Sequence, residues 1–228
     1  MLEIKKISKV YNSERSNPVN ALRGVNLSIK KGESIVITGP SGSGKSTLLQ
    51  IIGCINCASS GEYLIETQNV CNLSGSLLAK RRNEYFGFVL QNFGLIKYRN
   101  VIDNMSLPLI LRGNVTRKQI KEKCCSLLER TGLKGYENRK VWELSNGEQQ
   151  RVAIARAVIN NPSVVLADEP TGALDSQNRK IVMKLFDDIN ARGITVIVVT
   201  HDLSLVDSFK RHISLKDGYV ISDKSNIV

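Results

Sequence analysis

Apolar and polar positions alternate near the start of the chain and merge into unbroken apolar runs further on. Leu2 to Ile4 and Val25 to Ile29 alternate with a period of two, which predicts half-buried strands. Ser34 to Thr38, Val164 to Ala167 and Ile194 to Thr200 are continuous runs of apolar and β-branched residues. Such runs are typical of strands that are covered on both faces of a parallel sheet.

Helical spacing fills the segments between these strands. Ser46 to Ile52 follows the strand at Ser34 to Thr38 and predicts a helix. Ser176 to Ala191 lies between the last two strands and has helix-like apolar spacing at Ile181, Leu185, Phe186 and Ile189. The order strand, helix, strand predicts a parallel α/β core.

The middle of the chain reads as helical. From about Asn92 to Asn160 the pattern is that of helices, including Arg117 to Arg130 with apolar residues at Ile120, Cys124, Leu127 and Leu128. We therefore predict one domain over residues 1–228, with an α/β core formed by 1–91 and 161–228 and a helical insertion at 92–160.

Composition narrows the class of protein. The 228 residues are 42% hydrophobic, enough for a sizeable core, yet they contain no apolar run of 18 residues. Met1 to Lys6 lacks the apolar stretch of a secretory signal, so we expect a cytoplasmic protein.

Five cysteines, with Cys124 and Cys125 adjacent, favour reduced thiols over a disulfide framework. The C-x-x-C spacing of Cys54 and Cys57 lacks a second pair, and ordinary packing is favoured there.

A formal net charge of +11 indicates an anionic partner, which can be a nucleotide, an acidic membrane surface or nucleic acid. The basic residues are scattered and aromatic residues make up 5% of the chain, which argues against a base-stacking surface. We expect a nucleotide and proximity to a membrane, and no nucleic acid.

A glycine loop lies between the strand at Ser34 to Thr38 and the helix that follows it. Its sequence matches G-x-x-x-x-G-K-[ST], in which backbone N–H groups surround phosphates and a lysine reaches their terminal oxygens. Gly42 and Gly44 allow close backbone approach, Lys45 is expected to contact the β- and γ-phosphates, and Ser46 offers a hydroxyl to Mg²⁺. The predicted phosphate-binding residues are Gly39, Pro40, Ser41, Gly42, Ser43, Gly44, Lys45, Ser46 and Thr47.

Two adjacent acids end the strand at Val164 to Ala167. Asp168 is placed to hold Mg²⁺, and Glu169 is a candidate to polarise an attacking water. Adjacent carboxylates at a strand end repel each other without a cation, which favours this interpretation over a solvated turn before Pro170.

The order of these motifs resembles that of the nucleotide-binding subunits of ATP-binding cassette (ABC) transporters, over essentially the whole chain. The resemblance implies a P-loop NTPase (RecA-like) fold, with an antiparallel β subdomain at the N-terminus and an inserted α-helical subdomain, and it implies ATP and Mg²⁺ as ligands. It also implies roles for five further sites. Tyr11 resembles the aromatic residue that stacks on adenine, and Gln91 the glutamine that senses Mg²⁺ and water and links the cassette to its membrane partner. Asp175 resembles the aspartate that couples two nucleotide sites, and His201 the histidine that contacts the γ-phosphate. The fifth site comprises Ser145, Asn146, Gly147 and Glu148, which resemble the signature that contacts ATP across a dimer.

This signature segment, residues 145–148, departs from the common pattern. Asn146 stands where a second glycine is usual. Asn tolerates left-handed backbone angles better than most residues, so a turn with such angles can be kept at Asn146, whereas its added side chain can weaken the contact across the dimer. Whether turnover is slower is left open by the sequence. Glu148 stands in place of the frequent glutamine. Together with Gln149 to Ala157, it resembles the branch of macrolide exporters, antimicrobial-peptide exporters and lipoprotein-release ATPases.

The function that the resemblance implies is that of an ATPase whose two copies bind head-to-tail around ATP and drive separate transmembrane permease subunits at the cytoplasmic face of the membrane. Lys45, Gln91, Glu169 and His201 are then the catalytic residues, and Ser46, Gln91 and Asp168 the metal-binding ones. Two alternatives stay open: mechanical signalling of the cell-division type, and a slow ATP-dependent dimerisation module.

Overall fold

The computed structural model describes residues 1–12, 17–113 and 115–225. In chain order the elements are β1 (Leu2–Tyr11), β2 (Val19–Ile29), β3 (Ser34–Thr38), α1 (Lys45–Ile52), β4 (Ser60–Ile65), β5 (Gln68–Asn69), α2 (Gly75–Tyr85), β6 (Phe86–Val89), α3 (Val101–Arg112), α4 (Arg117–Arg130), α5 (Asn146–Val158), β7 (Val164–Asp168), α6 (Ser176–Ala191), β8 (Thr195–Thr200), β9 (Arg211–Lys216) and β10 (Tyr219–Ser225). Short 3₁₀ helices cover Val141–Glu143 and Leu203–Ser208.

The chain divides into two compact units. The first unit is Met1–Arg82 with Thr195–Val228, and the second unit is Asn83–Ile194. The second unit holds the predicted helical insertion together with β6, β7 and α6. The subdomain boundary at residues 92 and 160 therefore stays a prediction.

The first unit contains an antiparallel sheet in the order β2-β1-β4-β5. Leu2 pairs with Ile29 and Ile4 with Leu27, and all four side chains are buried. The alternation of apolar and polar positions is thus the alternation of a buried and an exposed face.

Parallel strands form the other sheet of the first unit. β3 lies between β8 and β9 and is parallel to both, whereas β10 is antiparallel to β9. Every residue of β3 and β8 is buried, as their continuous apolar runs predict. β9 and β10 were not predicted, because the polar residues of Arg211–Lys216 weaken the apolar signal and β3 supplies the missing partner.

The second unit packs helices around its own core. Its strands β6 and β7 are parallel, with Phe86 opposite Val164. α4 has the predicted bounds, and Thr116 caps it in a capping box with Gln119. The buried residues of the helical core are Val101, Met105, Leu109, Cys124, Leu128, Leu133, Leu144, Val152, Ala155 and Ile159.

The buried face of α6 differs by one position from the prediction. Val182, Phe186 and Ile189 are buried, whereas Ile181 is 38% exposed. A helix advances by about 100° per residue, so the spacing of Ile181 and Val182 is compatible with the same stripe, and the neighbouring elements decide which of the two is covered.

Candidate functional site

Glycine occurs in the loop between β3 and α1 where the backbone requires it. Gly44 has φ +101°, and a Cβ there would lie 2.4 Å from the carbonyl oxygen of Ala21. A Cβ at Gly39 would lie 2.1 Å from the carbonyl oxygen of Leu215. Gly42 has φ +78° with no heavy atom within 4 Å of the added Cβ, so this part of the loop has open space beside it.

Lys45 folds back onto this loop. Its Nζ donates to the carbonyl oxygens of Gly39 at 2.8 Å and Pro40 at 2.9 Å, and the residue is 8% exposed. The loop therefore encloses a positive charge at the start of α1.

The loop also fits a phosphate in its polar groups. The hydroxyl of Ser43 is buried and, among the described residues, has no hydrogen-bond partner. Gly44, the N-cap of α1, gives the helix no side-chain cap, and no acidic residue lies in the first turn. Uncapped N–H groups, an unsatisfied hydroxyl and a lysine form a site for an anion.

Two further predicted residues belong to the first unit. Tyr11 ends β1, accepts a hydrogen bond from Asn56 Nδ2 at 2.8 Å, and its ring centroid lies 5.1 Å from Lys9 Nζ. His201 is exposed at the first position after β8. Both lie at strand ends, where a ligand can reach them.

The acidic pair lies at the carboxyl end of β7. Asp168 is the last residue of the strand and Glu169 has φ +46°, a left-handed conformation that is unusual for glutamate. Backbone strain of this kind costs about 1–3 kcal/mol and is concentrated at functional sites. The carbonyl oxygen of the next residue, Pro170, accepts a hydrogen bond at 2.8 Å from Gln150 Nε2 on α5.

The signature segment is the N-terminus of a helix. Ser145 is the N-cap of α5, and Ser145 and Glu148 form a capping box. Asn146 is the first helical residue and does not have a positive φ, so the expectation of left-handed angles at Asn146 is wrong. Asn146 is helical because the Ser145 cap closes the first turn of α5.

Glu148 is the acceptor for the groups around Ser145. Its Oε2 accepts from Ser145 N at 2.8 Å and Ser145 Oγ at 2.9 Å, and its Oε1 accepts from Tyr136 OH at 2.8 Å. Desolvation acts to raise the pKa of Glu148, but these hydrogen bonds and the charge of Arg151 outweigh it, and the pKa is lowered. The carboxylate is therefore the form that the fold stabilises.

Asp175 caps α6. Its Oδ1 accepts from Asn178 N at 2.8 Å and its Oδ2 from Asn178 Nδ2 at 2.7 Å, and these hydrogen bonds lower the pKa of Asp175. Gln91 is exposed in the turn after β6. Two residues further on, the Phe93 carbonyl oxygen accepts from Arg156 on α5 at 2.8 Å.

Helix α5 thus contacts both ends of the loop between β7 and α6, which carries Glu169 and Asp175, and also the loop after β6, which carries Gln91. Gln150 contacts the loop after Glu169, Arg151 contacts Asn178 at the Asp175 loop, and Arg156 contacts the loop after Gln91. No sequence motif predicted a role for Gln150, Arg151 or Arg156. The signal available in the sequence was a glutamine, Gln150, at helical spacing from the apolar residues Ala153 and Ile154, and in the structure Gln150 is 1% exposed.

The comparison with protein families gives a match over residues 22–172 to the family described as ABC transporter. The chain belongs to the ABC transporter family. The predicted α/β P-loop fold and the assignment as an ABC ATPase subunit are confirmed, because the matched region carries the glycine loop, the signature segment and the acidic pair.

Two relatives of this ABC cassette are exporters that combine ATP-binding and permease parts. This chain is 43% identical over 229 residues to the macrolide export ATP-binding/permease protein MacB of Escherichia coli, and the match covers 100% of this chain and 35% of MacB. It is 44% identical over 223 residues to the pyoverdine export ATP-binding/permease protein PvdT of Pseudomonas fluorescens, covering 98% of this chain and 34% of PvdT. The chain therefore spans about a third of the length of these relatives, and the resemblance to the macrolide-exporter branch is confirmed.

A solved cassette has the same fold over the full chain. The ATP-binding cassette MJ0796, solved as a dimer in a post-hydrolysis state bound to ADP and Pi, is 41% identical, with a TM-score of 0.92 and coverage of 99% of this chain and 98% of that one. Within the described part of the chain, no helix is long and apolar enough to cross a membrane.

Proposed function

We propose that two copies of this ABC cassette bind head-to-tail and enclose ATP between Lys45 of one copy and Ser145 of the other. The observation that carries the proposal is the glycine loop, with its buried lysine, its unpartnered Ser43 hydroxyl and the uncapped start of α1. An exposed Ser145 at a helix N-terminus supports the second half, because such a position favours an anionic group. The dimeric MJ0796 cassette supports the arrangement of two copies.

Lys45 has to exchange partners when ATP binds. Its ammonium group moves from the carbonyl oxygens of Gly39 and Pro40 to the β- and γ-phosphates, so that one set of charge-assisted hydrogen bonds replaces another. Ser43 Oγ then donates to a phosphate oxygen, and Tyr11 offers its ring to adenine.

The chemical step falls to the residues at the strand ends. Glu169 orients the attacking water and accepts its proton, and His201 contacts the γ-phosphate. Ser46, Gln91 and Asp168 would hold Mg²⁺ through oxygen atoms, the ligands that this ion prefers, and its charge would offset that of the phosphates. Asp175 couples the two nucleotide sites.

Exposed apolar residues of the second unit support a contact with a membrane protein. Leu90, Ile96, Tyr98 and Trp142 are exposed apolar residues, and Trp142 N donates to the carbonyl oxygen of Lys97, next to Tyr98, at 3.2 Å. An exposed apolar group in the loops around Gln91 is suited to contact a protein partner. We propose that this partner is a transmembrane permease, that the cassette works at the cytoplasmic face, and that the cargo is a macrolide, an antimicrobial peptide or a lipoprotein.

Two variants test the ATP cycle. Lys45→Ala abolishes ATP binding or turnover, whereas Glu169→Gln binds ATP but hydrolyses it far more slowly and accumulates an ATP-bound dimer on size-exclusion chromatography. Lys31→Ala, at an exposed turn, is the control and behaves like the wild type. Unchanged turnover in Glu169→Gln contradicts the role of Glu169, and a Glu169→Gln protein that stays monomeric with Mg-ATP contradicts the dimer.

Co-purification tests the partner. A permease encoded beside this chain should be retained on the tagged cassette, and Trp142→Ala should weaken its retention without changing ATP binding. If Trp142→Ala retains the permease as well as the wild type does, the exposed apolar residues around Trp142 do not form the interface with the permease.

A further inference from the structure

One side chain joins the loop of Asp175 to the helix that begins at the signature segment. Asn178 Nδ2 donates to Asp175 Oδ2 at 2.7 Å, and Asn178 Oδ1 accepts from Arg151 NH1 on α5 at 3.1 Å. An amide is suited to this position because it donates with one atom and accepts with the other.

Gly147 leaves the room that this contact needs. A Cβ at Gly147 would lie 2.2 Å from Asn178 Oδ1 and 2.4 Å from Asn178 Cγ. Gly147 is buried inside the first turn of α5, so the Asn178 amide packs directly on the helix backbone. The glycine of the signature segment therefore has a structural task within its own chain.

The other end of the same loop is also attached to α5. Gln150 Nε2, one residue before Arg151, donates to the carbonyl oxygen of Pro170 at 2.8 Å, and Gln150 is 1% exposed. The segment from Glu169 to Asn178 is thus held at both ends by consecutive residues of one helix. The segment is therefore attached to the first two turns of α5, the helix that Ser145 caps.

We propose that Asn178 is a positioning residue for ATP hydrolysis, which keeps Asp175 in a fixed place relative to Ser145. The inference rests on the proposed function, in which Ser145 contacts the nucleotide of the partner copy and Asp175 couples the two sites. Asn178 contacts neither nucleotide in this scheme and acts through Asp175 and Arg151.

Steady-state kinetics of purified protein tests the role. Asn178→Ala should lower kcat about five- to thirtyfold, the effect of losing the two side-chain hydrogen bonds, with the KM for ATP within about twofold of wild type. Asn178→Asp keeps an acceptor for Arg151 but cannot donate to Asp175, so it should stay folded and lose kcat as Asn178→Ala does. Gln177→Ala, at the exposed neighbouring position, is the control and should keep the wild-type kcat.

Hydrogen exchange without nucleotide tests the link itself. Asn178→Ala should speed exchange in residues 170–177 and in residues 145–152 together, whereas Gln177→Ala should change neither segment. Unchanged exchange at residues 145–152 overturns the link between the two segments. Wild-type kcat in Asn178→Asp overturns the positioning role.

The two levels of the proposal fail separately. Absence of turnover in the wild-type protein, with its permease supplied, contradicts the proposed function, and the exchange measurement still decides whether Asn178 joins the segments. Turnover in the wild type together with an unaffected Asn178→Ala contradicts the inference alone.

Discussion

Replacing Glu148 by glutamine should lower the folding stability of the single cassette and raise the affinity of the two copies for each other in the ATP-bound dimer. The carboxylate accepts three hydrogen bonds, two from Ser145 and one from Tyr136. A glutamine can accept the bonds of Ser145 with its oxygen and donate its NH₂ group to the tyrosine oxygen. The fold is kept, while the charge is lost.

The loss of stability in the monomer follows from the strength of the hydrogen bonds to Glu148. A hydrogen bond to a charged group contributes about 1.5–3 kcal/mol and one between neutral groups about 0.5–1.5 kcal/mol, and a negative charge at a helix N-terminus adds roughly 0.3–1 kcal/mol. Ser145 and Glu148 are near the surface, which reduces the difference, so we expect a loss of about 1–2 kcal/mol in the free energy of unfolding. For a chain of this size the melting temperature should fall by about 2–8 °C.

The gain in dimer affinity comes from removing a negative charge beside the proposed contact between Ser145 and the partner's nucleotide. Glu148 Oε2 lies 2.9 Å from Ser145 Oγ, so a phosphate oxygen that takes over the proton of that hydroxyl would lie roughly 5–6 Å from the carboxylate. Two unit charges at that distance repel by about 1–3 kcal/mol at an effective dielectric constant between 20 and 80. We expect Glu148→Gln to strengthen ATP-dependent dimerisation by at least about fivefold.

Analytical ultracentrifugation in a Glu169→Gln background, with Mg-ATP, measures the dimer, and thermal unfolding without nucleotide measures the monomer. Glu143→Gln is the matched control, because Glu143 accepts a single backbone bond from Lys140. An unchanged dimerisation constant refutes the placement of Glu148 beside the partner's nucleotide.

Acid titration gives an internal check on the same side chain. Because the pKa of Glu148 is lowered in the folded protein, its contribution to stability is fully present above its unfolded-state pKa and is lost as the pH falls through the folded-state pKa. The difference in unfolding free energy between wild type and Glu148→Gln should therefore shrink as the pH falls through this range. A difference that stays constant would mean that the charge of Glu148 does not stabilise the fold.

Four further substitutions, of which Gly75→Ala is a control, probe contacts within each of the two units. Gly87→Ala should cost about 1–3 kcal/mol, since the added Cβ would lie 2.0 Å from the carbonyl oxygen of Ala157, whereas Gly75→Ala, with no atom within 4 Å, should leave the melting temperature unchanged or higher. Arg156→Ala should speed hydrogen exchange in the loop after β6, and normal exchange there contradicts its anchoring role. Lys45→Met should lower the melting temperature of the nucleotide-free protein, because the carbonyl oxygens of the glycine loop lose their donor; an unchanged melting temperature means that the lysine does not hold the loop.

The elements that were predicted correctly from the sequence are those that depend on interactions between residues close together in the chain. The glycine loop, the helix at Arg117–Arg130 and the strand at Ser34–Thr38 follow from steric rules, capping and apolar spacing, which act over a few residues. Prediction from the sequence failed at Asn146, where the cap at Ser145 decides that the residue is helical. It also passed over β9, whose polar residues become a strand only beside β3.

By itself, the sequence determined the class of fold, the glycine loop and the family, because a contiguous motif contains both its polar groups and the turn that presents them. Only the tertiary structure decided what surrounds the motifs. Gln150, Arg151 and Arg156 are close together in the sequence, yet they contact segments between 20 and 63 residues away. Asn178 likewise contacts Arg151 and packs on Gly147, which lie about 30 residues before it in the sequence. A hydrogen bond between distant segments depends on the packing that brings them together, and no local pattern of residues encodes that packing.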